Sequence, residues 1–338
     1  MGYKRKKILI IGSNEKFTLE KMYFRALKNL KHTVRIYHTG NTIKNRYISF
    51  IEKYLSFISN FFIRKLFVSF ISKAKNNYDL IIIVKGLYIT KNFILNIKKI
   101  SPKSKIINIY PDDPTITSTR NLSNKNVIEC IELFDFFCHY SEGVMKKIKK
   151  LKSKSKLLYL PLGYDELLHK RYKKNIKDIK KYKDTVNFIG SYDDERFNIL
   201  KSLNYKNLLI AGSNWKNIDS LQKPIFGKEL STIISNSLVS INILRDQCKD
   251  SHNMRTFEIP AMGGLMLTTR SKQQNFFFKE DEECLMFSGK KELQKKIKDI
   301  IKNKTKIQEL KDRAYLKSRK HSYTNRSKYL IKKIFINE

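Results

Sequence analysis

Five consecutive aliphatic residues lie inside DLIIIVKG (79–86), bounded by Asp79 before and by Lys85 and Gly86 after. So short and uninterrupted a run reads as a strand buried on both faces, the arrangement of a parallel sheet covered by helices. It is not isolated. KKILIIG (6–12), VRIYHT (34–39), KIINIYPDDP (105–114), FDFFCHYS (134–141) and KLLYLPLG (156–163) repeat the theme, with Pro111 and Pro114 ending the strand of KIINIYPDDP. Helical patterns fill the gaps. Leu19, Met22, Tyr23, Ala26, Leu27 and Leu30 recur at spacings of three and four, a helix is predicted near 91–100, and a short basic one after residue 141.

The alternation then pauses and restarts. Residues 166–184 carry eight Lys or Arg among nineteen and few large apolar residues, which marks a linker. Beyond it come strands at VNFIGS (186–191), NLLIAGS (207–213), VSINILR (239–245) and LMLTT (265–269). Helices are expected at 194–203, at 228–237, at 254–262 with a break near Pro260, at 291–303 and from Ser322 onward. A chain of 338 residues suits two domains. The expected division is a first α/β domain over 1–165, the basic linker 166–184, a second α/β domain over 185–321, and a last helix over 322–338. Two such parallel-sheet domains imply a ligand cleft between them.

Charge calls for a partner or an explanation. Lys and Arg number 69 against 31 acids, a formal net charge of +38. The bases are spread from Lys4 to Lys333, and only five Ala occur in a chain rich in Lys, Ile, Asn and Tyr. That is the composition of an AT-rich coding sequence, and it favours solvated surface charge over a dedicated polyanion site. No specific nucleic-acid partner is expected, since no reader motif appears. Peripheral attachment to an anionic membrane is the sharper alternative, with residues 47–72 (Phe50, Tyr54, Ile58, Phe61, Phe62) as a candidate amphipathic helix. Glu52, Lys53, Arg64 and Lys65 interrupt that region, so no transmembrane helix is expected. MGYKRKKILIIG reads as a first strand and not a signal peptide. Cys130, Cys138, Cys248 and Cys284 show no metal or disulfide spacing, which points to a reducing cytoplasm.

The segment 239–264 holds the candidate nucleotide site. The strand ending near Arg245 leads through a polar loop containing His252 and Asn253 to a helix start. There unpaired amides and Arg255 could meet a diphosphate. Glu258, one turn on, could accept hydrogen bonds from ribose hydroxyls. A carboxylate inside FEIPAMGGLML needs a specific partner, although an i,i+3 pair with Arg255 and an ordinary helix stop at Gly263–Gly264 explain the same spacing. Gly190 and Arg196, after the strand at 186–191, could approach the donor phosphates, and Ser213 and Asn214 could edge its base. Asp112 and Asp113 follow a first-domain strand; they read either as turn residues or a helix cap between two prolines, or as a general base toward a substrate hydroxyl. His139 is expected to pack, and Trp215 to lie in the core or an interface.

RTFEIPAMGGLMLT (255–268) resembles the signature of the CgeB-type spore-maturation glycosyltransferases, relatives of the broad GT-B families, which carry a glutamate ahead of small residues and glycine. The likeness extends to VNFIGSYDDER (186–196), YPDDP (110–114), ECLMF (283–287), KEL (291–293) and HSYTNRS (321–327), nearly the whole chain. The resemblance implies a GT-B fold, two Rossmann-like domains facing across a cleft, with the acceptor side in 1–165, the nucleotide sugar in 185–321 and the helix 322–338 crossing back to the first domain. It also implies sugar transfer from a nucleotide sugar to a glycan, lipid-linked or protein acceptor. Glu258 would match the donor-ribose ligand. Asp250 stands where many retaining members have a second glutamate, so retention and inversion both stay open. No D-x-D spacing occurs at Asp112–Asp113 or Asp193–Asp194, so neither a metal nor a cofactor beyond the donor is expected. A non-catalytic binding protein of the same fold is the main alternative. A different nucleotide-dependent α/β enzyme is disfavoured by the lack of G-x-G-x-x-G after the first strand.

Overall fold

The computed structural model describes residues 4–38, 78–87, 89–116, 124–173, 175–216, 218–246 and 249–335. The candidate membrane helix over 47–72 lies outside them. The chain forms two compact units, one of residues Met1–Pro161 with Ser327–Glu338 and one of Leu162–Arg326.

In unit 1, β1 (Lys7–Gly12), β2 (Thr33–His38), β3 (Leu80–Val84), β4 (Lys105–Ile109), β5 (Phe136–His139) and β6 (Leu157–Tyr159) form one sheet in the order β2-β1-β3-β4-β5-β6. Every pairing is parallel, from Lys7↔Thr33 at one edge to His139↔Tyr159 at the other. All five residues of β3 are buried, as a strand covered on both faces requires. Helices α1 (Leu19–Asn29), α2 (Lys91–Ile100), α3 (Lys125–Cys130) and α4 (Glu142–Leu151) supply the cover. α1 buries Leu19, Met22, Tyr23, Ala26 and Leu27, its i,i+3,i+4 stripe. Ser141 caps α4 by accepting the Val144 N–H, and Lys149 and Lys150 lie at its negative end. One core cluster joins Leu9, Ile81, Ile83, Phe93, Ile106 and Phe137.

In unit 2, β7 (Val186–Ile189), β8 (Leu208–Ala211), β9 (Val239–Asn242), β10 (Met266–Thr269) and β11 (Leu285–Phe287) form a second all-parallel sheet, ordered β11-β10-β9-β7-β8. Chain order reverses at β7, which lies between β8 and β9. Ligands bind doubly wound sheets at the carboxyl ends of strands flanking such a reversal. The helices are α5 (Ile176–Tyr182), α6 (Asp194–Lys201), α7 (Gly227–Asn236), α8 (Arg255–Ala261), α9 (Lys272–Phe277), α10 (Lys290–Lys302), α11 (Thr305–Ser318) and α12 (Tyr323–Ile334). The last begins in unit 2 and continues from Ser327 within unit 1. Polar side chains buried in this sheet are satisfied internally: Asn187 Nδ2 donates to Ser240 Oγ at 3.0 Å.

Three local outcomes differ from the sequence expectation. α8 runs through Pro260 to Ala261 and is stopped by the two glycines. Gly263 N–H bonds Pro260 O, Gly264 N–H bonds Ile259 O, and Gly263 takes φ +78°. This is a Schellman stop, which favours glycine at the left-handed position. α11 escaped notice because its inward face mixes Ile307 and Leu310 with Lys311, Ala314 and Ser318, and Lys311 reaches the Ser237 carbonyl at 2.7 Å. Residues 166–184 belong to unit 2, where they contain α5 and, ahead of it, buried Leu168 and His169. Among the described residues, no helix is long and apolar enough to cross a membrane.

Candidate functional site

The carboxyl ends of β7, β8 and β9 are laced together by backbone and side-chain contacts. Gly190 N–H pairs with Ala211 O, Tyr192 N–H with Ser213 O, and the Trp215 indole N–H with Gly190 O at 2.9 Å. At Gly212, with φ +148°, a Cβ would come within 2.0 Å of Gly190 O. The two loops therefore meet backbone to backbone, a requirement invisible in either loop alone. Asn214 is exposed with φ +66°, so the Ser213–Asn214 turn stands at this rim.

Glu258 lies on α8 with only 3% of its surface exposed. Its Oε2 is in contact with the Arg255 guanidinium, and Arg255 Nε also donates to Ile189 O at 3.1 Å. Its Oε1 lies 3.5 Å from His169 Nε2. His169 Nδ1 accepts the Asp165 N–H at 3.1 Å, which assigns the ring hydrogen to Nε2, facing the carboxylate. Burial alone would raise the Glu258 carboxyl. Electrostatic attraction from the His169 Nε2 side and from Arg255, with the Arg255 hydrogen bond, overcomes it and holds the group below its usual range. The i,i+3 partner was legible in the spacing. His169 was not, because it sits in a Lys-rich stretch far away in sequence.

Asn253 anchors the start of α8. Its carboxamide accepts the Thr256 N–H while its own N–H donates to Thr256 Oγ1, and it exchanges hydrogen bonds with Asn242 at 2.7 and 3.1 Å. The amide of Thr256, the second residue of the helix, is thus occupied by protein.

Two expected phosphate or donor ligands are committed elsewhere. Arg196 donates through Nε and Nη2 to Ile243 O and through Nη1 to Ser191 O, and it is buried, so it ties β9 to the loop after β7. His252 is fully buried: Nε2 accepts the Leu162 N–H at 3.1 Å, Nδ1 meets Gln273 Oε1 at 3.0 Å, and the ring packs edge-on to Phe257 and Phe277. Neither ring nitrogen is left for a ligand. Arg245 differs. Its Nε makes no hydrogen bond among the described residues, and Asp193 stands 3.7 Å away.

The residues of HSYTNRS fasten the beginning of unit 2. His321 O accepts the Tyr164 N–H, Tyr323 N–H bonds Tyr164 O, and Arg326 Nε donates to Leu162 O at 3.0 Å. His321 itself sits among Phe257, Phe277 and Phe278. Burial, with Arg326, Lys317 and Lys320 nearby, lowers its imidazole to about 3.

In unit 1, Asp112 and Asp113 follow β4 but differ sharply. Asp113 Oδ1 accepts the Thr115 N–H and hydroxyl, and Oδ2 accepts Lys147 Nζ at 3.0 Å. Burial pushes its carboxyl up, and these donors more than reverse the shift. Such a carboxylate is a structural clasp. Asp112 keeps a side chain 41% exposed, paired with Lys85 at 2.8 Å, while its backbone carbonyl meets His139 Nε2 at 2.9 Å. Burial lowers the His139 imidazole below its usual value. Among the described residues, no group of three or more His, Cys, Asp or Glu is placed to hold a metal.

Comparison with known proteins now bears on this geometry. Residues 196–332, less than half of the chain, match a family model described as glycosyl transferase-like. Comparison with curated protein sequences finds no match. Among solved structures, the chain is similar to Anabaena HepE in complex with UDP and glucose (TM-score 0.62, 11% identity, 98% of this chain and 99% of that one). It is similar too to sucrose-phosphate synthase from Thermosynechococcus elongatus (0.69, 10%, 99% and 100%). A third is α,α-trehalose 6-phosphate synthase from Burkholderia multivorans (0.64, 9%, 98% and 96%). The two parallel-sheet units are therefore those of the GT-B glycosyltransferase fold, with residues 196–332 matching the glycosyl transferase-like model.

Proposed function

We propose that this chain transfers a sugar from a nucleotide-sugar donor to an acceptor hydroxyl, with unit 2 holding the donor at the carboxyl ends of β7 and β9. The observation that carries the reading is the buried Glu258 carboxylate, poised between Arg255 and His169 at the strand-order reversal, inside the family-matched segment. Glu258 would accept from the ribose hydroxyls, in exchange for part of its present pairing. Arg245, its side chain 41% exposed and paired only loosely with Asp193 at 3.7 Å, would exchange that partner for the diphosphate, and Gly190 and the Ser213–Asn214 turn would line the remaining rim. HepE binds UDP and glucose, which supports a uridine nucleotide as the first donor to try. In unit 1, Asp112 suits the base that accepts the acceptor proton, since its carboxylate is exposed where that of Asp113 is enclosed. Kinship with the CgeB-type enzymes rests on the ordered sequence motifs.

A second reading, donor binding without turnover, draws on one observation: Glu258 is already satisfied by protein partners. Calorimetry with a panel of nucleotide sugars, followed by assay of nucleoside diphosphate release, separates the two. Binding with release supports transfer, binding alone supports the second reading, and no binding of any donor overturns both.

A further inference from the structure

We infer that α5 and the hollow beside it form a docking surface for an anionic lipid bilayer. Ile176 is 71% exposed on α5, and Ile179, one turn on, is exposed on the same face. An apolar pair kept in water on a seven-residue helix with no buried residue is unusual, because such a helix gains little from burying its other side.

Charge identifies what covers it. Lys170, Arg171, Lys173, Lys177, Lys180, Lys181 and Lys183 are all exposed around this helix, against Asp178 as the only acid between 170 and 183. Arg171 is engaged with Asp312. Lys173, Lys177, Lys180 and Lys183 have no acid within ion-pair distance among the described residues. Beside α5 lies a hollow of about 390 Å³ lined by Lys180, Lys181, Tyr182, Asn207 and Leu208. Its acid, Asp184, is matched by Lys304 at 2.6 Å.

Lysines around two exposed isoleucines, with an aromatic-edged basic hollow next to them, provide both terms of interfacial binding: apolar insertion and attraction to lipid phosphates. The surface lies at the amino ends of β7 and β8, the opposite edge of the sheet from Glu258, so docking there leaves the candidate donor edge open. The inference does not rest on the transfer reading.

The test is co-sedimentation of the full chain with phosphatidylglycerol–phosphatidylcholine vesicles and with phosphatidylcholine alone. Binding is expected to the anionic vesicles only and to be released by high salt. Each lysine contributes about fivefold, so replacing Lys177, Lys180 and Lys181 with Ser should weaken binding on the order of a hundredfold. A control variant removes three exposed lysines of α10, Lys295, Lys298 and Lys302. Emission of buried Trp215 verifies folding of each variant. In Ile176→Trp, the added indole should shift to the blue with anionic vesicles. No vesicle binding, equal loss in the α10 control, or an unshifted indole each overturns the proposal. In the first case, an acidic protein surface becomes the occupant to look for.

Discussion

His169 Nε2 faces Glu258 Oε1 at 3.5 Å, so a residue of the basic stretch after Leu162 completes the environment of the α8 carboxylate. Removing one member of a buried charged pair strands the other, at a cost of about 3–5 kcal/mol. Glu258→Ala should therefore destabilise unit 2 by roughly that amount, and Glu258→Gln by less, since the amide oxygen still accepts from Arg255. Urea unfolding followed by emission of Trp215, the chain's one tryptophan, reads this directly. The folded Glu258 carboxyl lies below its ordinary 4.5, so its stabilisation is present above that pH and is lost as pH falls through the folded value. Glu258→Gln should remove that part of the acid limb. An acid limb identical to the parent's would contradict the pairing.

His321 acts in a higher window and with opposite chemistry. It is neutral when folded, with its imidazole lowered from 6.5 to about 3, whereas the unfolded chain binds its proton below 6.5. Unfolding therefore takes up a proton between these values, and stability falls as pH drops from 6.5 toward 3, by about 1.4 kcal/mol per pH unit at most. His321→Phe fits the surrounding phenylalanines and should flatten this slope by up to that amount, whatever its effect at neutral pH. Urea midpoints between pH 7 and pH 4 give the measurement.

Gly212 and Gly143 make a matched pair. An alanine Cβ at Gly212 would press on Gly190 O at 2.0 Å in a left-handed conformation, and should cost about 2–3 kcal/mol. At Gly143 in α4 the nearest atom would be Ser141 Oγ at 3.8 Å, and the helical backbone suits alanine, so Gly143→Ala should stabilise by about 0.5–1 kcal/mol. Thermal unfolding should move in opposite directions for the two.

These cases also show what the sequence could carry. Parallel strands announced themselves, because β3 and its neighbours must be apolar on both faces, and the Arg255–Glu258 spacing placed both on one helical face. Side-chain direction outside the strands was not legible, on helix α6 as little as in the loops. Arg196 and His252 are as polar on paper as Arg245, yet the fold spends their donors on Ile243 O, Ser191 O and Gln273. The Gly190–Gly212 contact and the His169 partner depend on segments distant in sequence, which no local pattern encodes.

The three arginines near the donor edge should consequently separate. Arg245→Ala should weaken nucleotide binding at least tenfold, about 1.4 kcal/mol or more, with little change in stability. Arg196→Ala leaves the buried Ile243 carbonyl without its guanidinium donors and should cost about 1–3 kcal/mol in stability. Arg255→Ala should do both, since it serves Ile189 O and Glu258. Calorimetry and thermal unfolding on the same three variants decide the matter, and equal effects throughout would remove Arg245 from the donor role.

Asp112 and Asp113 divide in the same manner on the other unit. A general base needs a carboxylate that can approach a hydroxyl and take its proton, and such groups contribute about 10²–10⁴-fold to rate. Asp113 accepts three protein hydrogen bonds and is held below its usual range, so it has neither access nor basicity. Asp112 is pinned through its carbonyl by His139 while its carboxylate stays exposed beside Lys85. Asp112→Asn should therefore lower turnover at least a hundredfold with the unfolding midpoint unchanged. Asp113→Asn should cost about 1–3 kcal/mol of stability and reduce turnover only as folded protein is lost. Turnover per folded molecule, measured on both variants, distinguishes them; a full rate in Asp112→Asn would leave the acceptor proton to another group.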